Sequence, residues 1–243
     1  MVNISNPDFF LKFSIDQFSL NVYISISNRW HRSKSEKENT VRDTWYSDNR
    51  DLVKWSVLFR LAERFGACLI LQIAYFRPST FGSVIIDGQE VTVPPEVLQH
   101  CRSIQNVKNI KSNVRIFIFD DLIKDRAIYL NGAISFIKSH RNGPRIVFLD
   151  PDIGLEPTRT RPSLGHVLES EALAFWDALE IGDTFVFYQH QTNLKGQPWI
   201  ETKKVQLSKA IEIRENQLKV ADGMAIARDV VFYYSQKGAE HNK

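Results

Sequence analysis

Residues 145–157 read "RIVFLDPDIGLEP". The apolar residues of this stretch predict a buried strand, and Asp150, Pro151 and Asp152 end it. Proline stiffens the exit from the strand, and Gly154 permits a backbone conformation that other residues rarely adopt. In an open parallel sheet, ligands bind at the carboxyl ends of the strands. The two aspartates are therefore either part of a functional site or the polar end of a structural turn.

The segments on both sides of this strand alternate between strand and helix patterns. Strands are predicted at 67–76, 114–120 and 184–190, helices at 51–66, 125–139, 164–180 and 199–212, and a final pair of strands within 216–235. The run at 67–76 is apolar apart from Gln72, as expected of a parallel strand covered on both faces. The order predicts an α/β fold with a doubly wound, mostly parallel Rossmann-like sheet and an antiparallel terminal strand pair.

The same pattern predicts the organisation of the chain. Residues 48–237 form the α/β domain, with a β-hairpin insertion near 82–95 that turns at Asp87-Gly88. Residues 1–47 form an N-terminal extension with one strand and a charged loop, and residues 238–243 form a flexible tail.

Composition narrows the class of protein. With 243 residues, 43% of them hydrophobic and 24% charged, the chain can bury a full core. A net charge of +3 permits a nucleic-acid partner without indicating one. Cys68 and Cys101 are the two cysteines, and the apolar run around Cys68 predicts a buried thiol rather than a disulfide or zinc site. We expect a cytoplasmic protein without a membrane span.

Polar residues follow other predicted strands as well. Tyr75 ends the apolar run at 67–76, and His190 ends the strand at 184–190 between Gln189 and Gln191. The imidazole of His190 could move a proton near neutral pH or could serve as a hydrogen-bonded structural group. Together with Asp150 and Asp152, these residues predict a site at one rim of the sheet.

Three segments together resemble a known family. They are "SDNRDLVKWSVLFRLAERF" (47–65), "NGAISFIKSHRNGPRIVFLDP" (131–151) and "VADGMAIARDVVFYYS" (220–235). In order and position they are similar to segments of the Rossmann-like S-adenosylmethionine-dependent methyltransferases that modify exocyclic amino groups of nucleic-acid bases. The sequence "LDPD" stands in the place of that family's Asp-Pro-Pro-Tyr motif.

The resemblance implies a function and a set of residues. The chain would transfer a methyl group from S-adenosylmethionine to a base amino group, with nucleic acid as its partner. The residues expected near the reaction are Asp150, Pro151, Asp152 and His190. The residues expected near the cofactor are Asp48, Asn49, Asp51, Lys54, Gln72 and Tyr75. Two features depart from the family: Asp152-Ile153 replaces the second proline and the aromatic residue, and no glycine follows the first strand before Gly82.

Three alternatives remain open. In a metal-dependent nuclease, Asp150, Asp152 or Glu156 with Glu201 would hold Mg²⁺, and Lys203 would assist in phosphodiester cleavage. The missing glycines instead favour a non-catalytic binding subunit on a methyltransferase-like fold, which would work with protein partners. An Asp-x-Asp after an apolar strand also occurs in nucleotide-sugar glycosyltransferases.

Overall fold

The structure is a computed structural model that describes residues 48–76, 83–95, 104–110, 112–141, 143–192, 198–223 and 225–238. The chain divides into two compact units, Met1–Asn39 and Thr40–Lys243. All described residues belong to the second unit. The predicted N-terminal extension and almost all of the predicted tail lie outside the described residues, so the domain division remains a prediction.

The helices follow the predicted pattern with one correction. They are α1 Asn49–Phe65, α2 Arg126–Ser139, α3 Glu169–Asp177 and α4 Trp199–Ala210, with 3₁₀ turns at Ile104–Asn109 and Glu215–Gln217. The prediction of a helix over 164–180 was wrong at its start. A short strand precedes α3, whose first turn is closed by Glu171, the acceptor of a 3.0 Å hydrogen bond from Leu168 N–H.

Six strands form the main sheet. They are β1 Leu69–Ala74, β4 Arg115–Phe119, β5 Arg145–Asp150, β8 Thr184–His190, β9 Lys219–Gly223 and β10 Ala227–Gln236. Their order is β4-β1-β5-β8-β10-β9. The first four strands are parallel, and β10 runs antiparallel to both β8 and β9. The predicted fold class, including its antiparallel terminal pair, is confirmed.

Two small two-stranded units lie outside the main sheet. β2 Ser83–Ile86 pairs with β3 Gln89–Thr92 in an antiparallel hairpin. Its turn contains Asp87 and Gly88, both with positive φ, which is the requirement that Asp-Gly satisfies in two-residue hairpin turns. β6 Gly154–Leu155 pairs with β7 His166–Val167.

Helices cover the main sheet on both faces. On one face, α2, α3 and α4 pack against odd-numbered residues of β5 and β8 such as Leu149 and Phe187. On the other face, α1 packs against even-numbered residues such as Phe148 and Tyr188. This alternation decides which side chains at the strand ends can meet.

Local chemistry sets the bounds of α1. The carboxylate of Asp48 accepts hydrogen bonds from the backbone N–H groups of Arg50 and Asp51, at 2.8 and 2.9 Å. Gly66 ends the helix with a φ of 64°, a left-handed conformation that favours glycine. Cys68, just beyond, is exposed. The prediction of a buried thiol was wrong because Cys68 precedes the first strand residue, Leu69, instead of lying in the strand.

Candidate functional site at the carboxyl edge of the sheet

The candidate site lies where the direction of the sheet reverses. From β1 the chain continues to β4 on one side of β1 and then returns to β5 on the other side. This makes the β1–β5 boundary a topological switch point, the place where open α/β sheets form a ligand crevice. Ala74 is opposite Asp150 in the register of the two strands, so both strands end together at this boundary.

Asp150 is the central residue of the site. Its side chain is only 11% exposed and accepts hydrogen bonds from Lys54 Nζ at 2.9 Å and from Gln72 Nε2 at 2.6 Å. Both bonds fall on Oδ2. Among the described residues, Oδ1 of Asp150 therefore remains as the acceptor for a further donor.

Lys54 lies between two carboxylates. Its ammonium is 2.9 Å from Asp150 and 3.1 Å from Asp51, and all three side chains are nearly buried. One positive and two negative charges give this triad a net charge of −1. The triad consequently favours a ligand that brings a hydrogen-bond donor or a positive charge.

The pKa values in the triad reflect burial and pairing. Burial raises the pKa of Asp150, and Lys54 and Gln72 act against that rise. Burial alone would lower the pKa of Lys54, but Asp150 and Asp51 outweigh it and raise that pKa above its usual value. Lys54 is therefore charged at neutral pH, and its charge keeps Asp150 closer to the ionised form.

The fold explains how these distant residues meet. α1 runs into β1 through a tight turn, so its first turns lie at the carboxyl edge of the sheet. Asp51 and Lys54 are three residues apart and share one helix face. Gln72 and Asp150 are even-numbered residues of neighbouring strands. The other even-numbered side chains of these two strands pack on the face that α1 covers, so Gln72 and Asp150 project toward α1.

The side-chain amide of Gln72 is buried beside Asp150. The side chain is 1% exposed, its Nε2 donates to Asp150, and its Oε1 lacks a hydrogen-bond partner among the described residues. A buried polar atom left in this state costs about 1–3 kcal/mol. A donor on a bound ligand would remove that cost.

His190 lies beside an outer group formed by Arg50, Tyr188 and Asp229. The ring centroids of His190 and Tyr188 are 4.9 Å apart in an edge-on arrangement, and Lys54 Nζ lies 5.1 Å from the Tyr188 ring centroid. Burial, followed by the positive charge of Arg50, lowers the pKa of His190 to about 4. The imidazole is therefore neutral at pH 7. Arg50 in turn forms an ion pair with Asp229 at the start of β10.

The loop after β5 is held by Gln189. This buried side chain donates to the carbonyls of Ile153 (3.2 Å) and His190 (2.7 Å) and accepts from Leu155 N–H at 2.9 Å. Gly154 lies against it with a φ of 122°. Pro151 is buried and Asp152 is half-buried. The amide of Gln189 thus sets the path of the chain as it leaves Asp150.

Tyr75 lies apart from the predicted cofactor residues. It packs in the core on the opposite face of the sheet, with its ring centroid 5.2 Å from that of Tyr129. Its hydroxyl is 3.5 Å from Glu171. Of the residues predicted to contact a cofactor, Asp51, Lys54 and Gln72 meet around Asp150, while Asp48 and Asn49 form the exposed start of α1.

The residues of the nuclease alternative have other partners. Lys203 is buried and donates to the carbonyls of Leu155 (3.1 Å) and Glu156 (2.7 Å). Glu201 lies in the exposed first turn of α4 and is 3.6 Å from Lys204. Within the described ranges, no three His, Cys, Asp or Glu side chains are grouped so as to hold a metal ion.

Sequence reasoning missed the outer group formed by Arg50, Tyr188 and Asp229. The alternation in "FVFYQH" (185–190) could have placed Tyr188 and His190 on one face of β8. Nothing local to Asp229 indicates its pairing with Arg50, 179 residues earlier in the chain.

The site can bind a neutral or cationic hydrogen-bond donor more readily than an anion. Asp150 Oδ1 can accept a hydrogen bond from an amino or hydroxyl group and thereby orient it. Asp51 and the unpartnered Gln72 Oε1 add acceptors beside it. Because Lys54 is already paired, the triad offers little to a phosphate group.

Comparisons with known proteins identify no family for this chain. No protein-family model and no curated protein matches it. Two solved structures align with most of its length. One is a putative methyltransferase from Thermobifida fusca, with 15% identity, 79% of this chain and 80% of that chain covered, and a TM-score of 0.37. The other is a DUF574 family protein from Streptomyces avermitilis. It is 12% identical, the match covers 78% of this chain and 82% of that chain, and the TM-score is 0.37.

None of the helices in the described part of the chain combines the length and the apolar character needed to cross a bilayer.

Proposed function

We propose that this chain transfers a methyl group from S-adenosylmethionine to an amino group of a nucleic-acid base. The observation that supports this most is the position of Asp150, a nearly buried carboxylate at the switch point whose Oδ2 is held by Lys54 and Gln72. Its Oδ1 is the acceptor offered to the amino group.

Asp150 acts by orienting the nucleophile. A hydrogen bond from the amino group to Oδ1 directs the nitrogen lone pair away from the carboxylate and toward the methyl donor, which is catalysis by positioning. Lys54 and Gln72 hold the carboxylate in one orientation. Lys54 also opposes the rise in pKa that burial imposes on Asp150, so the carboxylate is more often ionised and able to accept.

The residues around Asp150 fit the chemistry of the cofactor. S-adenosylmethionine would supply its methyl group from the sulfonium: the new N–C bond would form as the S–C bond breaks, the sulfonium would leave as a neutral thioether, and the amine would pass a proton to Asp150 or to solvent. Its sulfonium, ammonium and carboxylate together give it a net positive charge. The net negative triad and the unpartnered Gln72 Oε1 suit such a ligand. We assign Asp51 and Gln72 to the cofactor and Asp150 to the acceptor amine. Tyr75 is omitted from this assignment because its side chain packs in the opposite core.

The observed contacts favour this function over the nuclease. In the nuclease, Lys203 would act beside Asp150 and Asp152, but its ammonium is engaged by the carbonyls of Leu155 and Glu156. Among the described residues, no specific contact favours a glycosyltransferase.

The test is transfer of a radiolabelled methyl group to DNA and to RNA, with calorimetric titration of S-adenosylmethionine alongside it. We expect wild-type protein to label one of the two nucleic acids. Asp150→Asn should reduce transfer by about 10²–10³-fold because its neutral side chain is a weaker acceptor for a developing positive charge.

Asp87→Asn is the matched control. It makes the same chemical change in the exposed turn between β2 and β3, and it should leave transfer unchanged. Full activity of Asp150→Asn would remove Asp150 from the mechanism. Absence of cofactor binding at millimolar concentration would refute the methyltransferase and favour the non-catalytic binding subunit.

A further inference from the structure

The loop between β6 and β7 is positively charged and exposed. Residues 157–165 read "PTRTRPSLG", with two arginines and no acidic residue. Arg159 and Arg161 are both exposed, and neither pairs with a carboxylate among the described residues. The loop therefore presents two arginine side chains, with a formal charge of +2, to solvent.

The loop starts at the carboxyl edge of the main sheet, where Asp150 ends β5. The N–H of His190, the last residue of β8, donates to the carbonyl of Ile153 at 3.1 Å. Two side chains of α4 hold the carbonyl of Glu156. Arg159 is three residues beyond Glu156, and three residues span at most about 11 Å. Arg159 is consequently confined to the neighbourhood of this edge.

The other end of the loop is fixed as well. Arg126, at the start of α2, donates to the carbonyls of Ser163 (2.7 Å) and His166 (3.0 Å). The same guanidinium pairs with Glu171 at 2.8 Å. Arg161 lies two residues before Ser163, and two prolines restrict the backbone of the loop between its anchors. A ligand that binds the two arginines therefore has little backbone to order, which favours binding.

A second loop at the same edge has the opposite charge. Residues 120–125, which follow β4, contain three aspartates and Lys124, a formal charge of −2. A polyanion is repelled by this loop and attracted by the β6–β7 loop. The two loops thus define the side of the edge from which a polyanion can approach.

These charges agree with those of the candidate site. Asp150, Asp51 and Lys54 together carry −1, so they suit a hydrogen-bond donor and not a phosphate. A nucleic acid carries phosphates and base donors, and proteins bind the two through separate contacts. The β6–β7 loop has the charge that phosphate contacts require.

We infer that Arg159 and Arg161 bind the phosphate backbone of the nucleic acid whose base reaches Asp150. The class of partner rests on the proposed function. Arginine suits phosphate because its planar guanidinium can donate two hydrogen bonds at once. The backbone lies along the β6–β7 loop, and the target nucleotide turns across the edge of the sheet toward Asp150. The two arginines are positioning residues and do not touch the reacting atoms.

Fluorescence anisotropy measures this binding with a labelled single-stranded oligonucleotide of about 20 nucleotides, as DNA and as RNA. We expect the wild type to bind one of them, with an affinity that falls as salt is raised. Arg159→Gln and Arg161→Gln should each reduce the slope of log affinity against log salt by about 0.7, and together by about 1.4. At low salt the double variant should bind at least about tenfold more weakly. A wild type that binds neither oligonucleotide, or a double variant with an unchanged slope, would overturn the inference.

Arg115→Gln is the matched control. Arg115 is an exposed arginine at the start of β4, so it lies at the opposite, amino edge of the sheet. Its replacement should leave the affinity and the salt slope unchanged. All of these variants change exposed side chains and should unfold at the temperature of the wild type. An equal loss of binding from Arg115→Gln would show that overall charge, and not the β6–β7 loop, attracts the nucleic acid.

An acidic protein is the other polyanion that two arginines can bind. Unlabelled poly-L-glutamate should displace the oligonucleotide at least about tenfold less well, per charge, than the unlabelled oligonucleotide does, because it has no base to place at Asp150. Equal displacement by the two competitors would show that the assignment to nucleic acid is wrong.

Methyl transfer separates this inference from the proposed function. If transfer is observed, the double variant should raise the KM for nucleic acid about tenfold and leave kcat unchanged, because the lost contacts serve binding alone. Transfer with an unchanged KM and salt slope would refute the inference and leave the proposed function standing. If transfer is never observed while the double variant still weakens oligonucleotide binding, the proposed function fails and the arginine surface stands.

Discussion

Asp150 illustrates how one residue can be both structural and chemical. Its backbone ends β5 and its carbonyl accepts from Tyr75 N–H at 3.3 Å, as the end of any parallel strand requires. Its carboxylate, however, is nearly buried beside Lys54 and Asp51. A carboxylate that only ended a strand would be expected to reach solvent, because an ionised group is costly to bury.

Lys54→Met tests the role of Lys54 as a positioning residue. Removing the ammonium should raise the pKa of Asp150 further, because burial and Asp51 then act with less opposition. Activity that needs ionised Asp150 is lost below its pKa. The acidic limb of the pH–rate profile for methyl transfer should therefore move to higher pH.

Lys138→Met is the control for that measurement, since Lys138 is an exposed lysine in the last turn of α2. It should leave the acidic limb in place. A Lys54→Met profile that only falls in height, without moving along the pH axis, would contradict the electrostatic role.

His190 should make stability depend on pH. Its pKa is lowered from 6.5 to about 4 in the folded protein, so the unfolded chain binds the proton more tightly between these values. The contribution of neutral His190 to the free energy of unfolding is fully present above about pH 6.5 and is lost as the pH falls toward 4. The loss is at most about 3 kcal/mol.

Urea denaturation across this pH range measures the effect, and an NMR titration of the His190 ring measures its pKa directly. His190→Gln should flatten the dependence of the unfolding free energy on pH between about 4 and 6.5. A ring that titrates near 6.5 in the folded protein would contradict the prediction.

At the scale of elements, residues 151–156 after β5 are clamped from two sides. Gln189 of β8 donates to the carbonyl of Ile153 and accepts from Leu155 N–H, and Lys203 and Gln206 of α4 donate to the carbonyl of Glu156 at 2.7 and 3.0 Å. Glu156 also accepts from Glu169 N–H at the start of α3, at 2.6 Å. The loop after Asp150 is therefore a rigid part of the site.

Gly154→Ala should damage this clamp. A Cβ at this position would lie 2.3 Å from Gln189 Nε2, and the φ of 122° is one that other residues rarely adopt. We expect a loss of about 3 kcal/mol or more in the free energy of unfolding, measured in urea.

Gly143→Ala provides the comparison, because Gly143 also has a positive φ of 79° but has open space where the Cβ would lie. It should cost about 1 kcal/mol. Equal losses for the two variants would mean that the contact with Gln189 contributes nothing.

At the scale of the whole molecule, a buried ion pair joins β5 to the segment before β8, at the rim opposite the candidate site. Arg145 and Asp183 are 0% and 2% exposed in their side chains and form a bidentate pair. Arg145 also donates to the carbonyls of Ile137 and His140. This pair ties the two central strands to α2.

Asp183→Asn should destabilise the whole domain by about 3–5 kcal/mol in thermal or urea unfolding, because it leaves a buried guanidinium with the more distant Glu180, at 3.9 Å, as its remaining carboxylate among the described residues. Replacing both residues, with Arg145→Met and Asp183→Asn, should cost less than the sum of the two single changes. Asp177→Asn, at an exposed position, should stay within about 0.5 kcal/mol of the wild type. An additive double variant would contradict a direct coupling.

Much of the architecture was predictable because burial and periodicity are local properties of the sequence. The apolar runs at 67–76 and 146–149 located two central strands, and the polar residue that ends the second run located one rim. Alternation along β1 also carries information that the prediction did not use. Gln72 and Tyr75 are three positions apart, and an odd interval along an extended chain places side chains on opposite faces, so both could not face Asp150.

Tertiary structure determined which side chains meet at the site. Lys54 and Asp150 are 96 residues apart, and Gln72 and Asp150 are 78 apart. Their meeting depends on the reversal of strand order between β1 and β5 and on α1 lying over that boundary. No short segment encodes such an arrangement. The amino-acid pattern marks which residues are buried and where strands stop, whereas the pairing of buried charges follows from how distant strands and helices pack.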